Sequence, residues 1–202
     1  MNQFSSAHLL VSAADPAQFP ADVGFEVAFA GRSNSGKSSA LNALLGRRAL
    51  ARSGKTPGQT RLLNFFELGG ERRVVDLPGY GYARVPEAER RRWVALTNRL
   101  RGRSSFRGLF LTVDSRRGVA AADLELIAWA DPTARSVHVL LSKADKLTRN
   151  EATRCLADAQ RALGGAVTTQ LFSATDGTGV VQARSILLRF LGKEPGHEAE
   201  RE

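Results

Sequence analysis

The feature that most constrains this chain is an apolar run followed at once by a glycine-rich basic loop. Residues 25–30, FEVAFA, predict a buried strand, and GRSNSGKS follows at residues 31–38. This loop fits G-x-x-x-x-G-K-[ST], the phosphate-binding pattern that lies between a strand and a helix. A strand, a loop of this type and a helix in that order predict an α/β nucleotide-binding fold.

The residue types in this loop suit a bound polyphosphate. Gly31 and Gly36 allow the backbone to curl until its N–H groups point at phosphate oxygens. We expect Lys37 to reach the β and γ phosphates and the Ser38 hydroxyl to bind Mg²⁺. A glycine-rich turn without this function is the alternative, and the flanking strand and helix patterns argue against it.

Short β-rich apolar runs alternate with helical patterns, which predicts an α/β sheet with helices on both faces. The second and third runs are joined through Gly69 and Gly70, too little chain for a helical crossover, so they predict a hairpin. We therefore predict a mixed six-stranded sheet with one antiparallel edge strand. The six runs are residues 25–30, 62–68, 72–77, 108–114, 137–142 and 166–173.

Helix boundaries can also be predicted. Thr148 and Glu151 form a capping-box pattern before an apolar stripe of helical spacing. Pro86 is suited to the first position of another helix, whose outer face is rich in arginine. Gly192 is expected to end a last helix that covers residues 180–190.

A second part of the phosphate site is predicted at Asp76, which ends an apolar strand as the Walker-B acid does. We expect Asp76 to bind Mg²⁺ through water. Gly79 then places a backbone N–H near the γ-phosphate.

A base-recognition segment is predicted at residues 142–145, SKAD, again after an apolar strand. Asp145 could accept two hydrogen bonds from guanine N1–H and N2–H₂, a donor pair that adenine lacks, and the Lys143 stem would lie along the base. Taken alone, SKAD is also typical of a loop or a helix entry, but its order and spacing favour the base-specific role. Residues 172–174, FSA, would complete the pocket through backbone contacts.

Together these motifs resemble a translation-factor-class G domain and, more narrowly, the EngB (YsxC/YihA) family of bacterial GTPases. The resemblance rests on GRSNSGKS, GKTPGQTRLLNFFEL, DLPGYGYA, SKAD and FSA and covers nearly all of residues 24–191. It implies GTP and Mg²⁺ binding, slow intrinsic hydrolysis, action in assembly of the large (50S) ribosomal subunit, and a requirement for cell division and septation.

The resemblance also implies site residues. Its magnesium ligands fall on Ser38 and Thr60, with Asp76 acting through water, and we assign catalytic contributions to Lys37, Thr60 and Gly79. Carried over by position, the family's nucleotide contacts are Gly31, Arg32, Ser33, Asn34, Ser35, Gly36, Lys37, Ser38, Gly58, Gln59, Thr60, Arg61, Leu62, Asp76, Leu77, Pro78, Gly79, Ser142, Lys143, Ala144, Asp145, Phe172, Ser173 and Ala174.

The residues themselves support Thr60 less strongly than the phosphate loop. Its hydroxyl follows a Pro-Gly segment that could close on the ion once GTP binds. Otherwise KTPGQT is an ordinary turn, and Thr56 is the second candidate. The chain departs from the family at Ser142, where Thr is usual, and at Arg117, where His is expected.

On this basis we divide the chain into three parts: an N-terminal extension (1–23), a GTP-binding G domain (24–192) and a disordered charged tail (193–202). Two other functions remain open from the sequence. One is a P-loop nucleotide or small-molecule kinase, which SKAD, the hairpin and the lack of an obvious arginine-rich lid oppose. The other is an RNA-binding module that uses GTP without significant turnover.

The charge distribution predicts a polyanionic partner. The net charge is +9, and the last ten residues hold two basic and four acidic groups, so residues 1–192 carry +11. We expect the large ribosomal subunit or its precursors, and rRNA, to meet basic groups beside two switch segments, residues 55–60 and 76–82, which GTP would order and hydrolysis release. A solvated basic surface is the alternative. The groups are Arg47, Arg48, Arg52, Lys55 and Arg61, and Arg84, Arg90, Arg91, Arg92, Arg99, Arg101, Arg103 and Arg107.

Several other classes of site are not favoured. No run approaches the roughly 18 to 20 apolar residues that a membrane span requires, so we expect a cytoplasmic, monomeric protein without a membrane partner. The single Cys155 cannot form an intramolecular disulfide and is expected in the core. His138 lies in a strand pattern and is also expected to pack in the core.

Hydrolysis lacks an obvious side-chain base. Tyr80 follows Gly79 where regulatory GTPases such as Ras have a water-orienting Gln, and a phenol is a poor general base near neutral pH. We interpret Tyr80 as a mobile packing or partner-contact residue, so a cation or the ribosome would have to complete the site. An Asn at position 34 of the phosphate loop resembles the loop of G domains that use K⁺ as an extra positive charge beside the phosphates. Stabilisation of the loop by Asn34 is the alternative.

Overall fold

The described residues form a twisted sheet between two layers of helices. The computed structural model describes residues 4, 6–47, 49–51, 62–80, 86–131 and 133–192. The strands are β1 (His8–Ala13), β2 (Phe25–Gly31), β3 (Leu63–Glu67), β4 (Arg72–Asp76), β5 (Phe106–Asp114), β6 (Ser136–Ser142) and β7 (Thr168–Leu171). The helices are α1 (Lys37–Leu45), α2 (Glu87–Arg101), α3 (Ala121–Ala130), α4 (Arg149–Leu163) and α5 (Val180–Phe190).

The sheet has the order β1-β3-β4-β2-β5-β6-β7. Strands β4, β2, β5, β6 and β7 are parallel, whereas β3 is antiparallel to both of its neighbours. The mixed α/β fold and the β3–β4 hairpin are therefore confirmed.

The strand count differs from the prediction, because the sheet of the described residues has seven strands rather than six. The additional strand, β1, comes from the region expected to be an N-terminal extension, and it pairs with β3 as the outermost strand. Leu9 and Leu10 are about half exposed, so β1 lacks the buried apolar run that marks an inner strand in sequence. Part of the extension thus belongs to the sheet.

Each face of the sheet carries its own hydrophobic core. Leu96 of α2, Leu126 of α3 and Ala159 of α4 pack on one face, and Leu41 of α1 and Leu187 of α5 pack on the other. None of the described helices has the length and apolar character needed to cross a bilayer. Cys155 is half-buried against the first core, where its thiol donates to the Ser115 carbonyl at 3.3 Å.

The helix ends follow the predicted signals closely. The Thr148–Glu151 capping box is present at the start of α4. Pro86 lies just before α2 rather than at its first position as predicted, and its side chain makes no capping hydrogen bond. Gly192 follows the last helix with a positive φ of 71°, which a glycine adopts without strain.

A buried ion cluster joins strands at their amino ends. Glu26, at the start of β2, is fully buried and accepts from Arg73 Nη1 at 3.2 Å and from Arg103 Nε at 2.7 Å. Arg103 Nη2 also donates to the Pro20 and Ala21 carbonyls at 2.9 Å. The prediction that Arg103 belongs to the basic surface is therefore wrong, because its guanidinium neutralises a buried carboxylate.

Replacing this carboxylate is expected to destabilise the fold. Glu26→Gln removes the fully buried charge that Arg73 and Arg103 share and leaves them with the more exposed Glu67 and Asp22, which costs about 3 kcal/mol of unfolding free energy. Urea unfolding followed by circular dichroism measures the change. Glu87→Gln is the control, since its ion pair with Arg91 is exposed and contributes under about 1 kcal/mol. Equal effects of the two substitutions would contradict this account.

A second stability prediction concerns His138, which is confirmed as a buried residue of β6. Its ring nitrogens contact Thr168 Oγ1 at 2.8 Å and Gln170 Oε1 at 3.1 Å. Burial lowers the pKa of His138 to about 4, and the positive charge of Arg189 acts in the same direction. The imidazole is therefore neutral in the folded chain near pH 7.

Because this folded-state pKa lies below the ordinary histidine pKa of 6.5, the unfolded chain takes up the proton first as the pH falls. We expect about 3 kcal/mol of unfolding free energy to be lost between pH 6.5 and pH 4 through this residue. Urea unfolding of the wild type and of His138→Gln across this range measures it. The variant should lose less stability than the wild type; parallel pH profiles would contradict the prediction.

Candidate functional site

The candidate site lies at the carboxyl edge of the parallel strands. The phosphate loop follows β2, Asp76 ends β4, the SKAD segment follows β6, and residues 172–174 follow β7. Neighbouring parallel strands present their carboxyl ends on one side of a sheet, so these separate motifs meet there. The predicted residues Gly58, Gln59, Thr60 and Arg61 lie outside the described residues, and Leu62 is half-buried just before β3.

Two glycines give the phosphate loop its shape. Gly36 precedes α1 with a φ of 90°, a conformation that side-chain-bearing residues rarely adopt. A Cβ on Gly31 would lie 2.4 Å from Ser35 Oγ and 2.9 Å from the Thr112 carbonyl, so packing also requires glycine there. The loop's N–H groups and the amino end of α1 together form an anion-binding geometry.

Lys37 forms an ion pair with Asp76 on the neighbouring strand, and both side chains are about nine-tenths buried. The ammonium expected to contact phosphate therefore has a carboxylate partner within the chain. Bound phosphate would compete with Asp76 for Lys37, and a bound cation would compete with Lys37 for Asp76. This exchange of charges suits a nucleotide that arrives with its metal ion.

The described residues fit the Mg²⁺ ion that the family implies. Ser38, in the first turn of α1, and Asp76, at the end of β4, offer hydroxyl and carboxylate oxygens, the hard donors that Mg²⁺ prefers. The Lys37–Asp76 pair brings the Asp76 carboxylate beside the first turn of α1. Ser38 and Asp76 are the described residues that would hold the ion.

At the base side, Ser173 orients the predicted recognition residue. Its hydroxyl donates to Asp145 Oδ1 at 2.8 Å and accepts from the Thr175 N–H at 3.1 Å. This hydrogen bond and the adjacent Lys146 hold the pKa of Asp145 below its ordinary value, so Asp145 is a carboxylate near pH 7. Sequence analysis assigned only backbone contacts to this segment and missed the role of the Ser173 side chain.

Hydrogen bonds join the SKAD segment, residues 142–145, directly to the phosphate loop. Lys143 has a φ of 59°, and its ammonium donates to the Asn34 carbonyl at 2.7 Å. The Ser142 hydroxyl donates to the Ser35 carbonyl at 2.5 Å and to the Val113 carbonyl at 3.1 Å. The serine found in place of threonine at this position thus retains a structural hydroxyl.

Asp114 is a site residue that sequence reasoning missed. It ends β5, is 5% exposed, and accepts from Lys143 Nζ at 2.8 Å and from Arg116 Nε and Nη2 at 3.0 and 2.8 Å. Arg116 and then Lys143 hold the pKa of Asp114 well below its usual range. An acid at the carboxyl end of an apolar strand, as at Asp76, is the signal that could have found it.

Arg117 is exposed and lines a small pocket with Arg32 and Asn34.

Comparison with known proteins agrees with this geometry. Residues 26–143 match the model of a family described as 50S ribosome-binding GTPase. The probable GTP-binding protein EngB of Coxiella burnetii (strain CbuK_Q154) is 43% identical over 95% of this chain and 96% of its own length. The probable GTP-binding protein EngB of Aromatoleum aromaticum is 46% identical over 94% of this chain and 89% of its own length.

Solved structures show the same fold. The crystal structure of a probable GTP-binding protein engB has a TM-score of 0.66 and 22% identity, with 83% of this chain and 98% of that chain covered. Era in complex with MgGDPNP and a 16S ribosomal RNA fragment has a TM-score of 0.60 and 19% identity, with 88% of this chain and 59% of that chain covered. At these identities the likeness establishes the fold alone.

The Asp114 contact generates a testable prediction. Asp114→Asn removes the charge that holds Lys143, so affinities for GTP and GDP should fall together by about tenfold. Titration calorimetry with both nucleotides measures this. Asp158→Asn is a matched control, because that carboxylate pairs with the exposed Arg161 on α4. Unchanged affinities in Asp114→Asn would show that Lys143 does not need this partner.

Proposed function

The chain belongs to the EngB family of GTP-binding proteins, and we propose that it couples GTP hydrolysis at this site, as a monomer, to assembly of the large (50S) ribosomal subunit. It is a GTPase of the P-loop class. The observation that carries the proposed site is the convergence of the phosphate loop, Asp76 and Asp145 at one sheet edge. From the family resemblance we extend the proposal to a requirement in cell division and septation.

The proposed binding mode assigns one task to each part of the site. The N–H groups of residues 31–38 and the Lys37 ammonium hold the phosphates, Gly79 N–H meets the γ-phosphate, and Asp145 reads guanine. Mg²⁺, held by Ser38 and Thr60 and through water by Asp76, would neutralise charge between the β and γ phosphates.

Among the described residues, the side chain that follows Gly79 is not suited to activate water. The Tyr80 hydroxyl donates to Asp123, and burial, followed by that hydrogen bond, raises the pKa of Tyr80 above its usual value. A phenol in this state does not act as a general base near pH 7. We therefore propose slow intrinsic hydrolysis, stimulated by K⁺ beside Asn34 or by the ribosomal partner.

The described arginines favour a nucleic-acid contact through one face of α2. Arg91, Arg92 and Arg99 are exposed there. Two other arginines of the predicted group have contacts within the chain. Arg101 Nη2 lies 3.8 Å from Asp131 Oδ2, and the Arg107 guanidinium lies over the ring of Phe25. An exposed row of guanidiniums binds phosphates with release of counterions, so the proposed partner is rRNA of the large subunit. Arg84 and the side chain of Arg90 lie outside the described residues, as do Arg48, Arg52, Lys55 and Arg61.

The base assignment can be tested by exchanging a hydrogen-bond acceptor for a donor. Asp145→Asn should weaken GTP binding by about 100-fold or more, because an amide cannot accept from both guanine donors. The same variant should gain affinity for XTP, whose O2 accepts where guanine donates. Titration of wild type and variant with both nucleotides measures this. Loss of both affinities, without the exchange, would point to damage rather than to recognition by Asp145.

The ribosomal proposal can be tested by charge reversal on α2. Arg91→Glu with Arg92→Glu should weaken association with purified 50S subunits at least tenfold at fixed salt and reduce its salt dependence. Sedimentation with a non-hydrolysable GTP analogue measures this, and GDP should give weaker association.

The matched control reverses two exposed arginines of α4, Arg154→Glu with Arg161→Glu, and so changes the net charge equally. Equal loss in both pairs would indicate a non-specific polyanion effect. Equal association with GTP and GDP would contradict the proposed switch.

A further inference from the structure

Tyr80 connects the phosphate loop to helix α3. Its N–H donates to the Gly31 carbonyl at 3.4 Å, and its carbonyl accepts from the Ser33 N–H at 3.1 Å. Its phenol hydroxyl donates to Asp123 Oδ1, and its ring packs against the core beneath α2, α3 and α4. The residue next to Gly79 is therefore held at both its backbone and its side chain.

Asp123 is a fixed anchor for this contact. It is fully buried in the first turn of α3, and its second oxygen, Oδ2, accepts from the Ala120 N–H at 2.8 Å. The carboxylate cannot turn away without exposing an unpaired N–H at the start of the helix. The Asp123 carboxylate therefore stays in place if Tyr80 shifts, and the hydrogen bond between them would break.

The contacts of Tyr80 occupy a donor that a bound phosphate would use. The Ser33 N–H, which belongs to the phosphate loop, bonds to the Tyr80 carbonyl. If the Gly79 N–H bonds to a γ-phosphate, as the proposed binding mode requires, a shift of the adjoining peptide toward that phosphate would weaken the contacts of Tyr80 with the loop. GDP carries no phosphate at that position and leaves the Tyr80 contacts in place.

We propose that Asp123 is a positioning residue that, through the Tyr80 hydroxyl, holds Tyr80 against the phosphate loop and so lowers the affinity for GTP relative to GDP. The packing of Tyr80 against the core agrees with the packing role that we expected for it. This inference rests on the proposed nucleotide site and is independent of the ribosomal partner.

Tyr80→Phe tests the contact, because it removes the hydroxyl and keeps the ring. The affinity for a non-hydrolysable GTP analogue should rise about fivefold to tenfold, while that for GDP should change less than about twofold. Titration calorimetry measures both. Trp129→Phe is the control on the same helix: it removes a 3.2 Å indole bond to Asn98 and should leave both affinities unchanged.

A spectroscopic measurement reports the hydroxyl directly. The chain has two tyrosines, Tyr80 and Tyr82, so protein labelled with ¹³C at the tyrosine ζ carbon gives two signals that Tyr80→Phe assigns. The Tyr80 signal should move on addition of the GTP analogue and stay in place with GDP.

The outcomes separate the two ideas. Equal changes for both nucleotides, no change, or weaker binding of the GTP analogue by Tyr80→Phe would overturn the role of Asp123, as would a Tyr80 signal indifferent to the analogue. Wild-type protein that binds neither nucleotide would overturn the proposed site as well. Normal nucleotide binding with no selectivity change would remove the positioning role alone.

Discussion

The geometry of the site depends on the two contacts that the Lys143 ammonium makes. A nucleotide is recognised at its phosphates by one loop and at its base by another, so the separation of the two loops must match the ligand. Lys143 fixes that separation by bonding to the Asn34 carbonyl of the phosphate loop and to the Asp114 carboxylate of β5. Lys143 has a left-handed backbone conformation, and its two side-chain contacts offset the cost of this conformation.

The parts of the site that the sequence predicts are those encoded by local patterns. A strand, a glycine-rich loop and a helix follow one another along the chain, so the phosphate loop is visible in consecutive residues. The end of an apolar strand marks the position of Asp114, but its partner Lys143 lies 29 residues away and the partner of Asp123 lies 43 residues away, so local spacing does not reveal these contacts. The edge strand β1 was missed because its leucines are exposed rather than buried.

Charge composition gave a general expectation but could not assign individual arginines. Arg103 lies in the same arginine-rich stretch as Arg99, yet it bonds to the fully buried Glu26 while Arg99 is exposed. The two edges of the sheet therefore hold different kinds of charge contact. At the carboxyl edge, phosphate or a cation can replace the partners of Lys37 and Asp76; at the amino edge, Glu26 is fully buried and bonds to Arg73 and Arg103 within the chain.

The pairing of β1 with β3 has a consequence for the order in which the protein is made. His8 lies opposite Glu67 and Ala13 lies opposite Leu63, so β1 leaves the ribosome some fifty residues or more before the strand with which it pairs. Pairings between distant segments form late, because the intervening chain must first be ordered. Strand β1 is thus synthesised before β3 but placed only after it, and its half-exposed leucines stay open to other contacts during synthesis.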